Sequence, residues 1–108
     1  MAEKRSAHRV PVRLRASFRS QQTVIEGWVL DLSRNGLFLR ADHVDAAGSR
    51  GTIDLELPQG TPLRLSGEVV RIVTGGDAGM AIRFGDLPDE ARRPLANFMI
   101  ESSYQSVR

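Results

Sequence analysis

Two arginines four positions apart, then an aspartate and a serine two apart, then a glycine, are the residues here best suited to chemistry. They stand as Arg5-Ser6-Ala7-His8-Arg9 and, about twenty residues on, Asp31-Leu32-Ser33-Arg34-Asn35-Gly36. A guanidinium presents a planar fork of N–H donors that fits a phosphate or the O6 and N7 acceptors of guanine, and its face stacks on a purine ring. A carboxylate accepts from the N1–H and N2–H donors of a guanine edge, and a hydroxyl can donate to or accept from the same base or a phosphate. In a regular strand, Asp31 and Ser33 project from one face. Gly36 allows a positive φ in the turn and a close approach by a ligand. Together these groups suit recognition of a phosphate and a base. Plainer uses stand beside this one. Asp31 and Ser33 can satisfy backbone groups of a turn before Asn35-Gly36, and Arg5 and Arg9 can belong to a solvated tail.

Other chemistries find little support. The chain has no cysteine, which excludes disulfides, thiolate metal sites and cysteine nucleophiles. His43 stands beside Asp42 and near Asp45, but no further clustered ligand has recognisable spacing, so these residues read as a solvated loop and no metal site is assigned. Neither a G-x-S-x-G, a P-loop nor an H-E-x-x-H motif occurs. Gly75-Gly76-Asp77-Ala78-Gly79 joins two strands instead of opening a helix, which argues for a turn rather than a phosphate cradle. No catalytic residue is assigned, and an enzyme is not expected.

The elements that would hold these residues follow from periodicity. Residues 1–9 are polar and aperiodic and read as a flexible arm. Val10, Val12, Leu14, Ala16 and Phe18 alternate with polar residues, the mark of a half-buried strand. Thr23–Ser33 reads as a second strand, with Val24, Glu26, Trp28, Leu30 and Leu32 on one face and Ile25, Gly27, Val29, Asp31 and Ser33 on the other. Asn35-Gly36 signals a tight hairpin turn. Further strands are expected at 37–39, at 52–57, at 63–73 with a bulge or bend at Gly67, and at 80–84. The tail has helical spacing, and Pro94 favours a helix from about Arg93 to Tyr104. The expected core includes Val12, Leu14, Leu30, Ile53, Leu55, Ile82 and Phe84. Short strands in series without intervening helices point to an all-β sandwich or barrel.

The chain has 108 residues, 41% hydrophobic and 26% charged, enough for one domain with a modest core. No apolar stretch approaches the ~20 residues of a membrane helix, and the charged N-terminus lacks the apolar run of a signal peptide. Residues 1–20 carry six basic side chains against one acidic, a net +5; the remainder carries nine basic and twelve acidic, a net −3. A basic end on a mildly acidic body suits an anionic partner.

The two motifs, the basic arm, the order of six strands and a terminal helix, and the late strand Gly79–Phe84 resemble the PilZ domain family over essentially the whole chain. All five motif positions match: Arg5, Arg9, Asp31, Ser33 and Gly36. The resemblance implies a six-stranded antiparallel β-barrel with one C-terminal helix, an arm at 1–9 and a barrel domain at 10–108. It implies cyclic di-GMP as ligand, with no cofactor, held by Lys4, Arg5, Arg9, Asp31, Ser33 and Gly36. Lys4 would help hold an intercalated ligand dimer. The implied role is a cytoplasmic receptor, monomer or weak dimer, that changes conformation and signals to a protein effector without engaging a membrane. One alternative is a PilZ-fold adaptor that binds no nucleotide. Another is a nucleic-acid-binding barrel, which would need exposed aromatics along its strands. Aromatics make up 6% of the chain, and Phe18, Trp28, Phe38 and Phe84 fit alternating core positions, so nucleic acid is not the expected partner.

Overall fold

A computed structural model describes residues 9–58, 60 and 62–106. The alternating segments form six strands: β1 (Val10–Arg19), β2 (Val24–Leu32), β3 (Gly36–Arg40), β4 (Arg50–Glu56), β5 (Pro62–Val73) and β6 (Gly79–Phe84). They close into a barrel in the order β1-β2-β3-β6-β5-β4, and every neighbouring pair is antiparallel. β4 closes the ring on the second half of β1, from Ala16 opposite Leu55 to Arg19 opposite Thr52. The helix α1 (Asp89–Ser106) packs against β1 and β5. The expected class, a six-stranded antiparallel barrel with one C-terminal helix, is the observed one.

Inward residues fill the barrel. Phe18, Leu39, Ile53, Leu55, Leu65, Met80 and Ile82 are almost fully buried, and Ala91, Leu95 and Phe98 of α1 join the same cluster. Of the expected core, Leu14, Ile53, Leu55, Ile82 and Phe84 are buried, whereas Val12 and Leu30 are only half-buried. Irregular pairing explains both. Two β1 residues, Val12 and Arg13, stand opposite Leu30 alone, and Leu30 is an extra residue relative to β3. A bulge of this kind shifts the side-chain parity. Up to Val29 the inward residues of β2 include Ile25 and Val29; past the bulge Leu32 turns inward and Asp31 stays outside. Strict alternation would have sent Asp31 the same way as Val29, so the bulge is what brings the carboxylate to the surface.

Two further expectations shift. Gly67 is not the irregular point of β5; the pairing with β6 slips at Val70, between Val69 and Arg71. Gly67 is buried, and a Cβ there would lie 2.7 Å from Ile82 and 3.0 Å from Ile53 side-chain atoms. Crowding in the core, not a bend, calls for glycine. α1 starts at Asp89, four residues before the expected Arg93, and runs through Pro94. The proline removes one donor and leaves the Glu90 carbonyl, at the exposed start of the helix, without an intrahelical partner. Burial of Ala91 and Leu95 anchors the turns on both sides of Pro94, and packing overrides local preference.

Candidate functional site

Barrel pairing carries the end of the arm to the second motif. Val10 lies opposite Leu32 and Pro11 opposite Asp31, so Arg9 emerges beside Asp31. Arg9 Nη1 donates to Asp31 Oδ1 at 2.6 Å. Both groups face solvent, with side-chain exposures of 55% and 37%.

Ser33 has a different setting. It is buried, the single buried polar residue among the described ones. Its hydroxyl accepts from the Asn35 N–H at 3.1 Å and the Gly36 N–H at 3.2 Å, and donates to the Gly36 carbonyl at 3.3 Å. The Ser33 N–H also donates to that carbonyl at 2.9 Å. The turn-satisfying use of serine is therefore present, and Ser33 does not share an open face with Asp31. Phe84 N–H donates to the Asn35 carbonyl at 2.8 Å, which fastens the loop to β6.

Gly36 takes no positive φ; among the described residues only Gly48, Gly60 and Gly75 do. It opens β3, and a Cβ on it would lie 2.2 Å from the Ile82 carbonyl oxygen and 3.1 Å from Arg83 Cα. The glycine is needed for the close approach of β6, not for turn conformation, and the loop is wider than the two-residue turn that Asn35-Gly36 suggested.

Lys4 and Arg5 lie outside the described residues, as does the arm up to His8. The fold adds arginines that the motifs did not single out. Arg34, Arg83 and Arg92 line a groove of about 320 Å³ together with Asn35 and Asp86. Arg34 is inside the motif and could have been read there. Arg83 reaches the loop only because β6 pairs with β3, Gly36 opposite Arg83; no local spacing announces that. Arg83 also approaches Glu68 at 3.6 Å.

The other candidates resolve simply. No group of three metal-ligating side chains occurs among the described residues. Asp45 instead accepts from the Ser20 hydroxyl at 2.7 Å, and that hydrogen bond is the main reason its carboxyl is held below the usual 3.8. Gly75 and Gly76 make the β5–β6 turn, with Gly75 at φ 100°. The aromatics divide: Phe18 and Phe84 are buried, whereas Trp28 and Phe38 are half-buried on the outer face. Phe38 lies across Gly79, whose added Cβ would sit 2.7 Å from its ring carbons. Arg13 and Arg15 stack on Trp28, with Cζ 4.7 and 5.4 Å from the ring centroid.

The model of the PilZ domain family matches residues 3–101. This chain is a PilZ domain. Solved structures share its fold at low identity. The PilZ domain with c-di-GMP of YcgR from Escherichia coli superposes at a TM-score of 0.80 with 13% identity, over 96% of this chain and 95% of that one. The inhibitor of motility MotI/DgrA of Bacillus subtilis gives a TM-score of 0.80 and 16% identity, over 96% of this chain and 53% of that one. The PilZ domain of CeSA from a cellulose-synthesizing bacterium gives 0.67 and 16%, over 87% and 96%. The chain thus spans about half the length of the MotI/DgrA chain and nearly all of the two isolated domains. No curated protein sequence matches it. No helix among the described residues is long and apolar enough to cross a membrane.

Proposed function

We propose that this PilZ domain is a receptor for cyclic di-GMP that passes the binding event to a protein partner. The observation that supports it most is the meeting of Arg9 and Asp31, 22 residues apart, on the outer face beside the Ser33–Gly36 loop. An exposed ion pair contributes only about 0–1 kcal/mol to stability, so the fold has little need of it. As a recognition pair it has a clear use. Asp31 can accept from a guanine N1–H and N2–H edge while Arg9 forks onto a phosphate or guanine O6 and N7. Such a ligand exchanges one protein–protein ion pair for two charge-assisted contacts. The solved YcgR domain with c-di-GMP has the same fold. On the motif match we assign Lys4 and Arg5 to the same ligand, with residues 1–9 as the ligand-responsive arm and 10–108 as its platform. Ser33 and Gly36 act by shaping the loop. The domain works by binding, without turnover or cofactor, in the cytoplasm.

A second reading has its own observation. Arg9 and Asp31 satisfy each other, and the Ser33 hydroxyl is taken up by its own loop, as a PilZ adaptor without nucleotide would have it. Titration calorimetry with cyclic di-GMP, GMP and single-stranded RNA separates the readings. Saturable binding confined to cyclic di-GMP is expected, with one or two ligands per chain. No heat with cyclic di-GMP leaves the adaptor, and tighter binding of RNA leaves a nucleic-acid barrel.

A further inference from the structure

We propose that the outer face of β1 and β2, centred on Trp28, is a docking surface for an acidic, amphipathic segment of a partner protein. The proposal deepens the partner half of the function above and is separable from the ligand half. A groove of about 510 Å³ runs over this face, floored by Trp28, Leu30, Ala41 and Ala78 and flanked by Arg13, Arg15 and Arg40. Arg40 is occupied, bridging to Asp77 at 3.1 Å and the Gly76 carbonyl. Arg13 and Arg15 have no carboxylate partner among the described residues. Both guanidinium groups lie over the Trp28 ring, a contact that restrains them beside the groove, where their N–H donors can meet an incoming anion. Two pre-positioned forks around a half-buried tryptophan combine the residue types that dominate interface energetics. The mixed lining selects the occupant. An apolar side chain suits the Trp28 and Leu30 floor, and separate carboxylates suit Arg13 and Arg15. Glu26 and Asp42 line the same groove and confine the occupant's acidic groups to the two arginines, which a peptide with spaced carboxylates can satisfy and a continuous phosphate backbone cannot. The face is also continuous with the ligand-binding motif: Arg15 pairs with Trp28, and Pro11 pairs with Asp31 further along the same two strands.

Trp28 is the only tryptophan, so its emission reports this groove alone. The probe is a short peptide of repeating Glu-Leu-Asp, set against its lysine-for-acid counterpart and oligouridylate of similar length. Expected is a saturable emission change with the acidic peptide and none with the lysine peptide. Arg13→Glu with Arg15→Glu should weaken the acidic peptide about tenfold or more, while Arg13→Lys with Arg15→Lys, which keeps charge but loses the planar fork, should fall between. All four substitutions are at exposed positions, and an unchanged thermal midpoint verifies the fold. Equal responses to both peptides, or tighter binding of oligouridylate, overturn the proposal; so does full affinity in the double Glu variant. Asp31→Ala should keep peptide binding whether or not cyclic di-GMP binds, and calorimetry with cyclic di-GMP on the double Glu variant tests the ligand half by itself.

Discussion

At the scale of single residues, the motif positions differ in what they are for, and their substitutions should separate. Asp31 is half-buried and, among the described residues, pairs with Arg9 alone. Asp31→Ala should change stability by less than about 1 kcal/mol and weaken cyclic di-GMP by about 1–3 kcal/mol, because a ligand donor loses its acceptor. Calorimetry and thermal denaturation of the same preparation check both halves. Ser33→Ala should instead cost about 1–3 kcal/mol of stability, since two loop N–H groups lose their acceptor in a buried setting. A Ser33→Ala protein as stable as the parent would show the loop hydrogen bonds to be dispensable. Gly36→Ala should be harsher still, about 3 kcal/mol, because the methyl meets a backbone carbonyl at 2.2 Å. The spacing of Arg9, Asp31, Ser33 and Gly36 was enough to mark these positions in the sequence. Their division of labour was not legible, because it depends on the β2 bulge and on β6 lying against β3, and neither leaves a local pattern.

At the scale of elements, alternation and turn signals together located all six strands but not always their inward faces. One extra residue at Leu30 reverses parity within β2: Val29 faces inward before it and Leu32 after it, so Trp28 and Asp31, on opposite faces by strict alternation, both lie outside. The helical spacing of the tail was legible, while Pro94 moved the expected start to Arg93 and concealed the first turn that packing enforces. The β3–β4 connection depends on a side chain: Asp45 accepts from Ser20, at the turn between β1 and β2. The Ser20 hydrogen bond, with smaller help from the Ala46 N–H and Ser49, lowers the Asp45 carboxyl below 3.8 against the opposing effect of burial. A carboxyl with a depressed folded value stabilises the fold above its unfolded pKa and loses that contribution as pH falls through the folded value. The thermal midpoint of the parent should therefore fall as pH drops below about 4, and Asp45→Asn should flatten part of that acid limb. Identical acid limbs in parent and variant would remove Asp45 from the account.

At the scale of the whole molecule, every strand has a hydrogen-bonded neighbour on both sides, and the buried side chains of barrel and helix form one cluster. No described element has a core of its own, so the domain should unfold in a single cooperative transition. Binding at one outer face must then stabilise the entire chain. A ligand that binds only the folded state at a hundred times its Kd adds about 2.7 kcal/mol. For a domain of this size that raises the thermal midpoint on the order of 10 °C. The approach is helped by charge, since the first twenty residues carry a net +5 on a body of net −3; salt should weaken binding by screening that attraction. The prediction is one transition that moves upward with cyclic di-GMP and does not move with GMP at the same concentration. Arg9→Ala and Asp31→Ala should keep a midpoint near the parent's and lose most of the ligand-induced rise. Arg5→Ala should lose it as well if the arm contributes its first motif arginine to the ligand. The adaptor reading makes the opposite forecast, a midpoint indifferent to cyclic di-GMP in parent and variants alike. A shift that persists undiminished in Arg9→Ala and Asp31→Ala would mean that the nucleotide binds elsewhere on the barrel.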